Sequence, residues 1–277
     1  MNIKKGKFLE TILAEKRLEI AKMPEEQVGK VRQTYNFYDY LKEHSDQLQV
    51  IAEVKKASPS LGDINLEVDI VDQAKNYEQA GAAMISVLTD PVFFKGNIEY
   101  LREISENVQI PTLNKDFIID KKQINRAVNA GATVILLIVA VFENQYPKLQ
   151  NLYNYALSLG LEVLVETHNK AELEIAHQLG AKIIGVNNRN LKTFEVSLQN
   201  SVDLTPNFKE DSIYISESGI FSANEAQKVS DTFNGILVGT ALMQSENLEK
   251  SLKDIKSQRI ENIKSVAYLQ KKLLIQL

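Results

Sequence analysis

The sequence predicts a (β/α)8 TIM barrel, in which eight parallel strands alternate with helices, preceded by a helical extension. Two observations predict it: a repeated helix-to-strand junction, and polar side chains at the ends of apolar segments. The junction is a glycine that ends a helix-like stretch and opens an apolar one, as at Gly81, Gly131, Gly160 and Gly180. Glycine just past a helix adopts the left-handed conformation at little cost. Continuously apolar strands are typical of a parallel sheet that is buried on both faces.

Eight segments have the composition of such strands: roughly 49–55, 83–88, 110–114, 133–138, 161–166, 182–187, 212–216 and 235–238. Helix-like stretches lie between them, and Asp120 and Asn169 are suited to cap two of these helices. The alternation implies right-handed crossovers and a parallel sheet, and eight units fit one closed barrel of this length. A doubly wound open sheet is the alternative, but residues 57–60 lack the glycine-rich first turn that it would need.

The 277 residues are predicted to form a single domain, because no linker rich in Pro, Gly or Ser divides them. Residues 1–48 form an N-terminal helical extension, with a second helix starting within 36–41. The first helix is indicated by the apolar spacing of Phe8, Leu9, Ile12, Leu13 and Leu18. The tail from about 246 carries the final barrel helix, and about 256–277 a C-terminal helical extension. A partner-binding helix is the alternative for this tail.

Composition excludes several classes of protein. A net charge of −4 argues against a general affinity for nucleic acid or anionic membranes. The absence of cysteine excludes disulfides, thiolate chemistry and cysteine-bound zinc. His44, His168 and His177 are too scattered to suggest a metal cluster, and the longest apolar stretch, 132–142, is too short to span a bilayer. The basic amino terminus has no apolar run after it and is not a secretory signal, so we expect a cytoplasmic protein.

Six strand-like segments end in reactive or hydrogen-bonding side chains. Glu53 and Lys55 are two residues apart, as are Asn187 and Arg189, so each pair shares one face of its strand. The other polar strand ends carry Lys115, Glu166, Glu217 with Ser218 and Gly219, and Gly239 with Thr240. Barrel enzymes build their active sites at the carboxyl ends of the strands, so we expect these side chains to meet at one mouth.

Five motifs, in order, resemble those of the indole-3-glycerol phosphate synthase family. They are Ile-Ala-Glu-Val-Lys-Lys-Ala-Ser-Pro-Ser at 51–60, Leu-Thr-Asp at 88–90 with Phe-Phe-Lys-Gly at 93–96, Leu-Asn-Lys-Asp-Phe at 113–117, Gly-Val-Asn-Asn-Arg-Asn-Leu-Lys-Thr-Phe at 185–194 and Ser-Glu-Ser-Gly-Ile at 216–220. The resemblance runs from about residue 6 to 255. It implies a carboxy-lyase of tryptophan biosynthesis that closes the indole ring of 1-(2-carboxyphenylamino)-1-deoxyribulose 5-phosphate with loss of CO2 and water, without a metal or organic cofactor.

The resemblance also implies a role for each site residue. Lys115 would be the general acid of ring closure and Glu166 the base. Lys55 would hold the substrate carboxylate and is a candidate acid of dehydration, although the sequence leaves open which lysine serves which step. Glu53 would orient Lys115 and shuttle or stabilise protons; a purely structural ion pair is the alternative for Glu53 and Lys55. We further expect the charge of Lys55 to lower the pKa of Lys115. Substrate contacts are expected from Asn187, Arg189, Glu217, Phe94 and Phe117, and phosphate contacts from Ser58, Ser218, Gly219, Gly239 and Thr240.

Three positions depart from the family pattern: Asn114 replaces a usual arginine, Leu61 a common lysine and Thr167 a common valine. They bear on affinity more than on the type of reaction. One alternative function is that of a phosphoribosylanthranilate isomerase, whose base is a cysteine that this chain lacks. Another is a non-catalytic barrel that binds a phosphorylated ligand or a partner protein. As partners we expect a small phosphorylated substrate, no nucleic acid and no membrane, in a monomer or weak homodimer.

Overall fold

The computed structural model describes residues 6–58 and 62–256, and in it eight parallel strands close into a barrel. Strands β1 to β8 are Gln49–Val54, Met84–Leu88, Thr112–Lys115, Val134–Ile138, Glu162–Thr167, Ile183–Asn187, Ile213–Glu217 and Gly235–Val238. β1 pairs with β8 to close the barrel, with Gln49 opposite Gly235. The predicted fold class and all eight predicted strands are confirmed, and the open-sheet alternative is wrong.

Helices alternate with these strands. They are α1 Phe8–Lys22, α2 Phe37–Glu43, α3 Ile70–Gln79, α4 Ile98–Asn107, α5 Lys121–Asn129, α6 Tyr146–Ser158, α7 Lys170–Leu179, α8 Gln199–Leu204, α9 Ala223–Ser230 and α10 Thr240–Met243. Residues 248–256 are also helical, and from 257 onward the expected C-terminal extension lies outside the described residues. None of the described helices has the length and apolar character needed to cross a membrane.

Local sequence signals explain where these helices begin and end. Asp120 forms a capping box with Gln123 at the start of α5, and the Asn169 side chain accepts the backbone N–H of Glu172 at the start of α7. The four junction glycines all have left-handed φ angles, between 75° and 90°. Every residue of β2, β4 and β6 is buried, as expected for strands that are covered on one face by the barrel interior and on the other by helices.

The two helices of the N-terminal extension lie at opposite ends of the barrel. Phe8 of α1 packs against Phe194 in the loop after β6, so α1 covers the carboxyl ends of the strands. The carboxylate of Glu162, the first residue of β5, accepts the backbone N–H groups of Phe37 and Tyr38 and holds α2 at the other end. Leu18 lies within α1, as its helical spacing predicted, but the residue is 57% exposed. Lys16, which is buried, lies two residues away on α1, so Leu18 lies on the opposite side of the helix.

A buried lysine attaches α1 to the barrel. The Nζ of Lys16 lies 2.9 Å from Oδ2 of Asp90 and 2.7 Å from Oδ1 of Asp116, and these acids follow β2 and β3. Burial alone would lower the pKa of Lys16, but the two aspartates outweigh it and raise the pKa, so the amine stays charged. Burial raises the pKa of Asp116 even beside this amine. The ionised state of Asp116 therefore depends on Lys16.

Replacing Lys16 by methionine should lower the free energy of unfolding by about 3–5 kcal/mol, because removal of one partner leaves buried charges uncompensated. Urea unfolding measures the loss. The matched control is Lys95→Met, which breaks a pair with Asp63 whose side chains are half exposed. That pair should contribute less than about 1 kcal/mol. Similar small losses in both variants would contradict the anchoring role of Lys16.

Candidate active site

A cavity opens at the carboxyl ends of the strands, and all the predicted site residues line it. Its volume is about 1080 Å³ when the part open to solvent is included. The predicted residues at its wall are Glu53, Lys55, Ser58, Phe94, Lys115, Phe117, Glu166, Asn187, Arg189, Glu217, Ser218, Gly219, Gly239 and Thr240. The side chains that the sequence predicted to meet at one mouth therefore do lie around one cavity.

Lys115, the last residue of β3, lies between two buried carboxylates. Its Nζ is 2.9 Å from Oε2 of Glu217 and 3.7 Å from Oε2 of Glu166. Burial acts to lower the pKa of Lys115, but the charges of Glu217, Glu166 and Glu53 outweigh it and raise the pKa. The expectation that Lys55 lowers this pKa is wrong in direction. The reason is that the negative charges of three glutamates act on Lys115, and Glu217 lies within hydrogen-bond distance of its amine.

Glu53 and Lys55 form their own ion pair, with 2.7 Å between Oε1 and Nζ. Their spacing of two residues along the end of β1 predicted that they share a face, and the contact confirms it. Glu53 acts on Lys115 through its charge, whereas Glu217 makes the direct contact that orients the amine. A Cβ at Gly239 would lie 2.5 Å from Oε1 of Glu53 and 2.8 Å from Nζ of Lys55. Gly239 therefore leaves the space that this ion pair occupies.

Glu166, on β5, contacts a residue that the sequence analysis did not place in the site. Its Oε1 lies 3.1 Å from Nε2 of His168. Burial alone would raise the pKa of Glu166, but His168, Lys115 and a hydrogen bond from Asn187 outweigh it and lower the pKa. The two carboxylates raise the pKa of His168 to about 10 against the effect of burial. The histidines of the sequence were of interest only as possible metal ligands; the spacing of two residues between Glu166 and His168 is the signal that could have found this pair.

Glu217, at the end of β7, has the opposite pKa shift. Burial, together with the charges of Glu166 and Glu53, raises its pKa in spite of Lys115. Its Oε1 is buried and has no hydrogen-bond partner among the described residues. A Cβ at Gly185 would lie 2.1 Å from this oxygen. The glycine in β6 therefore makes room for the carboxylate that holds Lys115.

Gly185→Ala should keep the fold and lower kcat on the order of 10²-fold, because the added methyl group must push the Glu217 carboxylate more than about 1 Å from its place. The displaced atom is the end of a side chain, so the cost in folding is small. Steady-state kinetics and urea unfolding measure the two effects. Gly29→Ala, where a Cβ would lie 3.2 Å from Oδ1 of Asn129 outside the cavity, is the control. Unchanged kcat in a folded Gly185→Ala protein would contradict the arrangement.

Residues at the end of β6 and in the loops after β2, β3 and β6 form another part of the cavity wall. The Oδ1 of Asn187 accepts the backbone N–H of Arg189 at 3.0 Å, and Nη1 of Arg189 donates to the carbonyl of Phe194 at 3.2 Å. The Phe94 and Phe117 rings lie 6.3 Å apart. All five residues line the same cavity, whose wall therefore carries a guanidinium group and aromatic rings.

The turn after β7 has an unusual backbone. Ser218 and Gly219 both have left-handed φ angles, 66° and 82°, a conformation that costs a serine free energy and a glycine almost none. The Nδ2 of Asn188 donates to the carbonyls of Glu217 and Ser218, both at 3.1 Å, and holds this turn. A Cβ at Gly219 would lie 2.7 Å from Cγ1 of Val196. The turn is thus fixed where phosphate contacts are expected.

Phe8 of α1 also lines the cavity, and sequence reasoning placed it only in a helical stripe. The departures from the family pattern can be located as well. Asn114 is buried and accepts a hydrogen bond from Thr89, and Thr167 donates to the carbonyl of Gly185 at 2.8 Å. Neither lines the cavity, whereas Leu61 lies outside the described residues.

Comparison with known proteins shows the family of this chain. The sequence model of the family described as indole-3-glycerol phosphate synthase matches residues 9–255. The chain belongs to the indole-3-glycerol phosphate synthase family. Membership makes it a lyase of tryptophan biosynthesis, as the motifs in the sequence predicted.

Relatives of the same name cover nearly the whole chain. The indole-3-glycerol phosphate synthase of Lactococcus lactis subsp. lactis (strain IL1403) is 97% identical over 95% of this chain and 99% of its own length. That of Streptococcus pneumoniae (strain Hungary19A-6) is 66% identical over 90% of this chain and 96% of its own. Among solved structures, 3-hexulose-6-phosphate synthase from Salmonella typhimurium has a TM-score of 0.62 at 13% identity, covering 78% of this chain and 99% of that one. This last similarity shows the fold alone.

Proposed function

We propose that this chain converts 1-(2-carboxyphenylamino)-1-deoxyribulose 5-phosphate to indole-3-glycerol phosphate, CO2 and water, with Lys115 as the acid of ring closure. The observation that carries the proposal is the position of the Lys115 amine in the cavity, 2.9 Å from Glu217 and 3.7 Å from Glu166. The carboxylates keep the amine protonated. A protonated amine in this place can donate to the carbonyl oxygen of a bound ketose.

Ring closure needs an acid at the carbonyl and a cation at the carboxylate. The ring carbon that bears the carboxylate attacks the ribulose carbonyl, whose oxygen takes the proton of Lys115. The carboxylate then leaves as CO2, and the electron pair of the broken bond restores the aromatic ring. Lys55, held by Glu53 at 2.7 Å, supplies the positive charge that binds the carboxylate. This attraction ends when the charge is lost as CO2 departs.

Dehydration needs an acid and a base. The new hydroxyl leaves as water with a proton from Lys55, and the nitrogen lone pair supplies the electrons that expel it. Glu166 then removes a proton from the carbon next to the nitrogen, which completes the indole. Lys115 and His168 keep Glu166 ionised at rest. Once Lys115 has given up its proton, a positive charge beside Glu166 is gone, and Glu166 becomes a stronger base when it is needed.

The remaining predicted residues bind the substrate. Arg189 and Asn187 hold polar groups, Phe94 and Phe117 pack on the aromatic ring, and Glu217 orients Lys115 and accepts a sugar hydroxyl. The phosphate lies at the mouths of β1, β7 and β8, at Ser58, Ser218, Gly219, Gly239 and Thr240. Support comes from their common position on the cavity wall and from the left-handed backbone at Ser218 and Gly219, which turns backbone groups toward an anion.

The proposal extends to the state of the protein. The chain acts as a single domain, with residues 1–48 as its helical extension and about 256–277 as a C-terminal one. It works in the cytoplasm as a monomer or weak homodimer, without a cofactor. The supporting observation for a single domain is that the eight strands close into one barrel around the cavity.

An assay of indole formation tests the function. The purified chain is incubated with 1-(2-carboxyphenylamino)-1-deoxyribulose 5-phosphate, and indole absorbance and CO2 release are followed together. We expect one CO2 for each indole formed. Phosphoribosylanthranilate, the substrate of the isomerase alternative, should give no turnover. A folded protein that binds the substrate and releases neither product would favour the non-catalytic barrel instead.

A further inference from the structure

Glu166 is supported from behind by a small polar cluster that does not line the cavity. The Nδ1 of His168 lies 3.0 Å from Oε2 of Glu172, and its Nε2 lies 3.1 Å from Oε1 of Glu166. The backbone N–H of His168 also donates to Oε2 of Glu172 at 2.9 Å, and Nδ2 of Asn169 donates to Oε1 at 2.7 Å. Glu172 is therefore fixed at the first turn of α7, and it fixes the imidazole ring in turn.

The two ring nitrogens of His168 both face carboxylates. An ionised carboxylate accepts hydrogen bonds and has none to give, so a ring with a proton on each nitrogen is the form that suits both neighbours. The side chains of His168 and Glu166 are only 10% and 3% exposed, so water screens this contact little. The 3.1 Å contact between Nε2 and Oε1 of Glu166 is therefore a buried ion pair when the ring is protonated.

We propose that His168 is a positioning residue for the reaction: as an imidazolium fixed by Glu172, it keeps Glu166 ionised and turned so that its second oxygen faces Lys115. The proposal rests on the role of Glu166 as the base, given above. His168 touches neither the cavity nor the reacting atoms. It acts through Glu166 alone.

The charges around Glu166 determine what loss of His168 would do. Lys115 from β3 faces it at 3.7 Å, Glu217 from β7 adds a negative charge, and Asn187 from β6 adds a hydrogen bond. Removal of the imidazolium takes a positive charge away from this group. Glu166 and Glu217 then hold protons more tightly. Glu166 therefore becomes protonated, and unable to act as the base, at a higher pH than in the wild-type protein.

Kinetics of His168→Asn test the proposal. At pH 7 we expect kcat to fall about 10-fold or more, as for other residues that support a reacting group, with KM changed less than about threefold. The acid limb of the kcat profile should move to higher pH. Glu172→Gln keeps the shape of the support and removes its charge, so its acid limb should move in the same direction by less. An unmoved acid limb with unchanged kcat in folded His168→Asn would overturn the proposal.

Two further measurements keep the test decisive. If His168→Asn does not fold, Glu172→Gln decides by whether its acid limb moves. NMR of the imidazole ring in the wild-type protein needs no activity. The His168 ring should carry a proton on both nitrogens at pH 8. A neutral ring at that pH would overturn the proposal, whether or not the proposed reaction is right.

His177→Asn is the matched control, because His177 contacts Tyr214 at the far end of α7. Its kinetics and pH profile should match those of the wild-type protein.

Discussion

Replacing Lys115 by alanine should lower kcat by about 10²- to 10⁴-fold, the range that a general acid contributes, and leave the barrel folded. The amine holds the proton that the carbonyl oxygen needs, and the surrounding carboxylates keep it there. Without it, Glu166 and Glu217 face each other in a buried site, and one of them takes up a proton to relieve the repulsion. The loss in kcat should therefore be accompanied by a change in the pH profile.

Single-turnover experiments at saturating substrate measure this effect, because they separate chemistry from product release. Lys148→Ala, which removes an exposed lysine of α6, is the matched control and should keep wild-type turnover. Less than a threefold loss in Lys115→Ala, with chemistry rate-limiting, would remove Lys115 from the role of the acid. A loss that appears only in KM would make it a binding residue.

The sequence predicted the barrel because each strand and helix has a local signal. The glycines after helices and the caps at Asp120 and Asn169 depend on a few neighbouring residues, and the structure has them as expected. The position of site residues at strand ends follows from chain direction alone. The pair of Glu53 and Lys55 was predictable for the same reason, since both lie on one strand.

Contacts between strands were much harder to predict. Lys115 meets Glu217 across the barrel, over more than a hundred residues of sequence, and the distance depends on barrel closure and side-chain conformations. The prediction that Lys55 lowers the pKa of Lys115 was wrong because the sequence does not show which charged group lies nearest to the amine. Phe8 was missed because α1 precedes the barrel, and its sequence does not show which end of the strands it covers. The need for glycine at positions 185 and 239 could not be predicted either, because the atoms that a Cβ would meet there belong to side chains from other strands.

Glu166→Gln should lower kcat by about 10²- to 10⁴-fold, since it removes the base and keeps the size of the side chain. Binding should persist, because Arg189 and the phosphate turn are untouched, so the affinity for a product analogue should change little. Turnover at saturating substrate and calorimetric binding measure the two quantities. Full activity in Glu166→Gln would leave the carboxylate of β5 without a chemical role and contradict the proposed mechanism.

The strongest test of the arrangement is the combination of Glu166→Gln with Glu217→Gln. Both carboxylates contact the same amine, so each single change already disturbs the unit that transfers the proton. The double variant should therefore lose less than the product of the two single losses, because residues that act as one unit are not additive. Glu53→Gln with Glu166→Gln is the comparison: Glu53 pairs with Lys55, and its coupling to Glu166 should be weaker. Multiplicative losses in both pairs would mean that the carboxylates act independently, which a lysine shared by Glu166 and Glu217 does not allow.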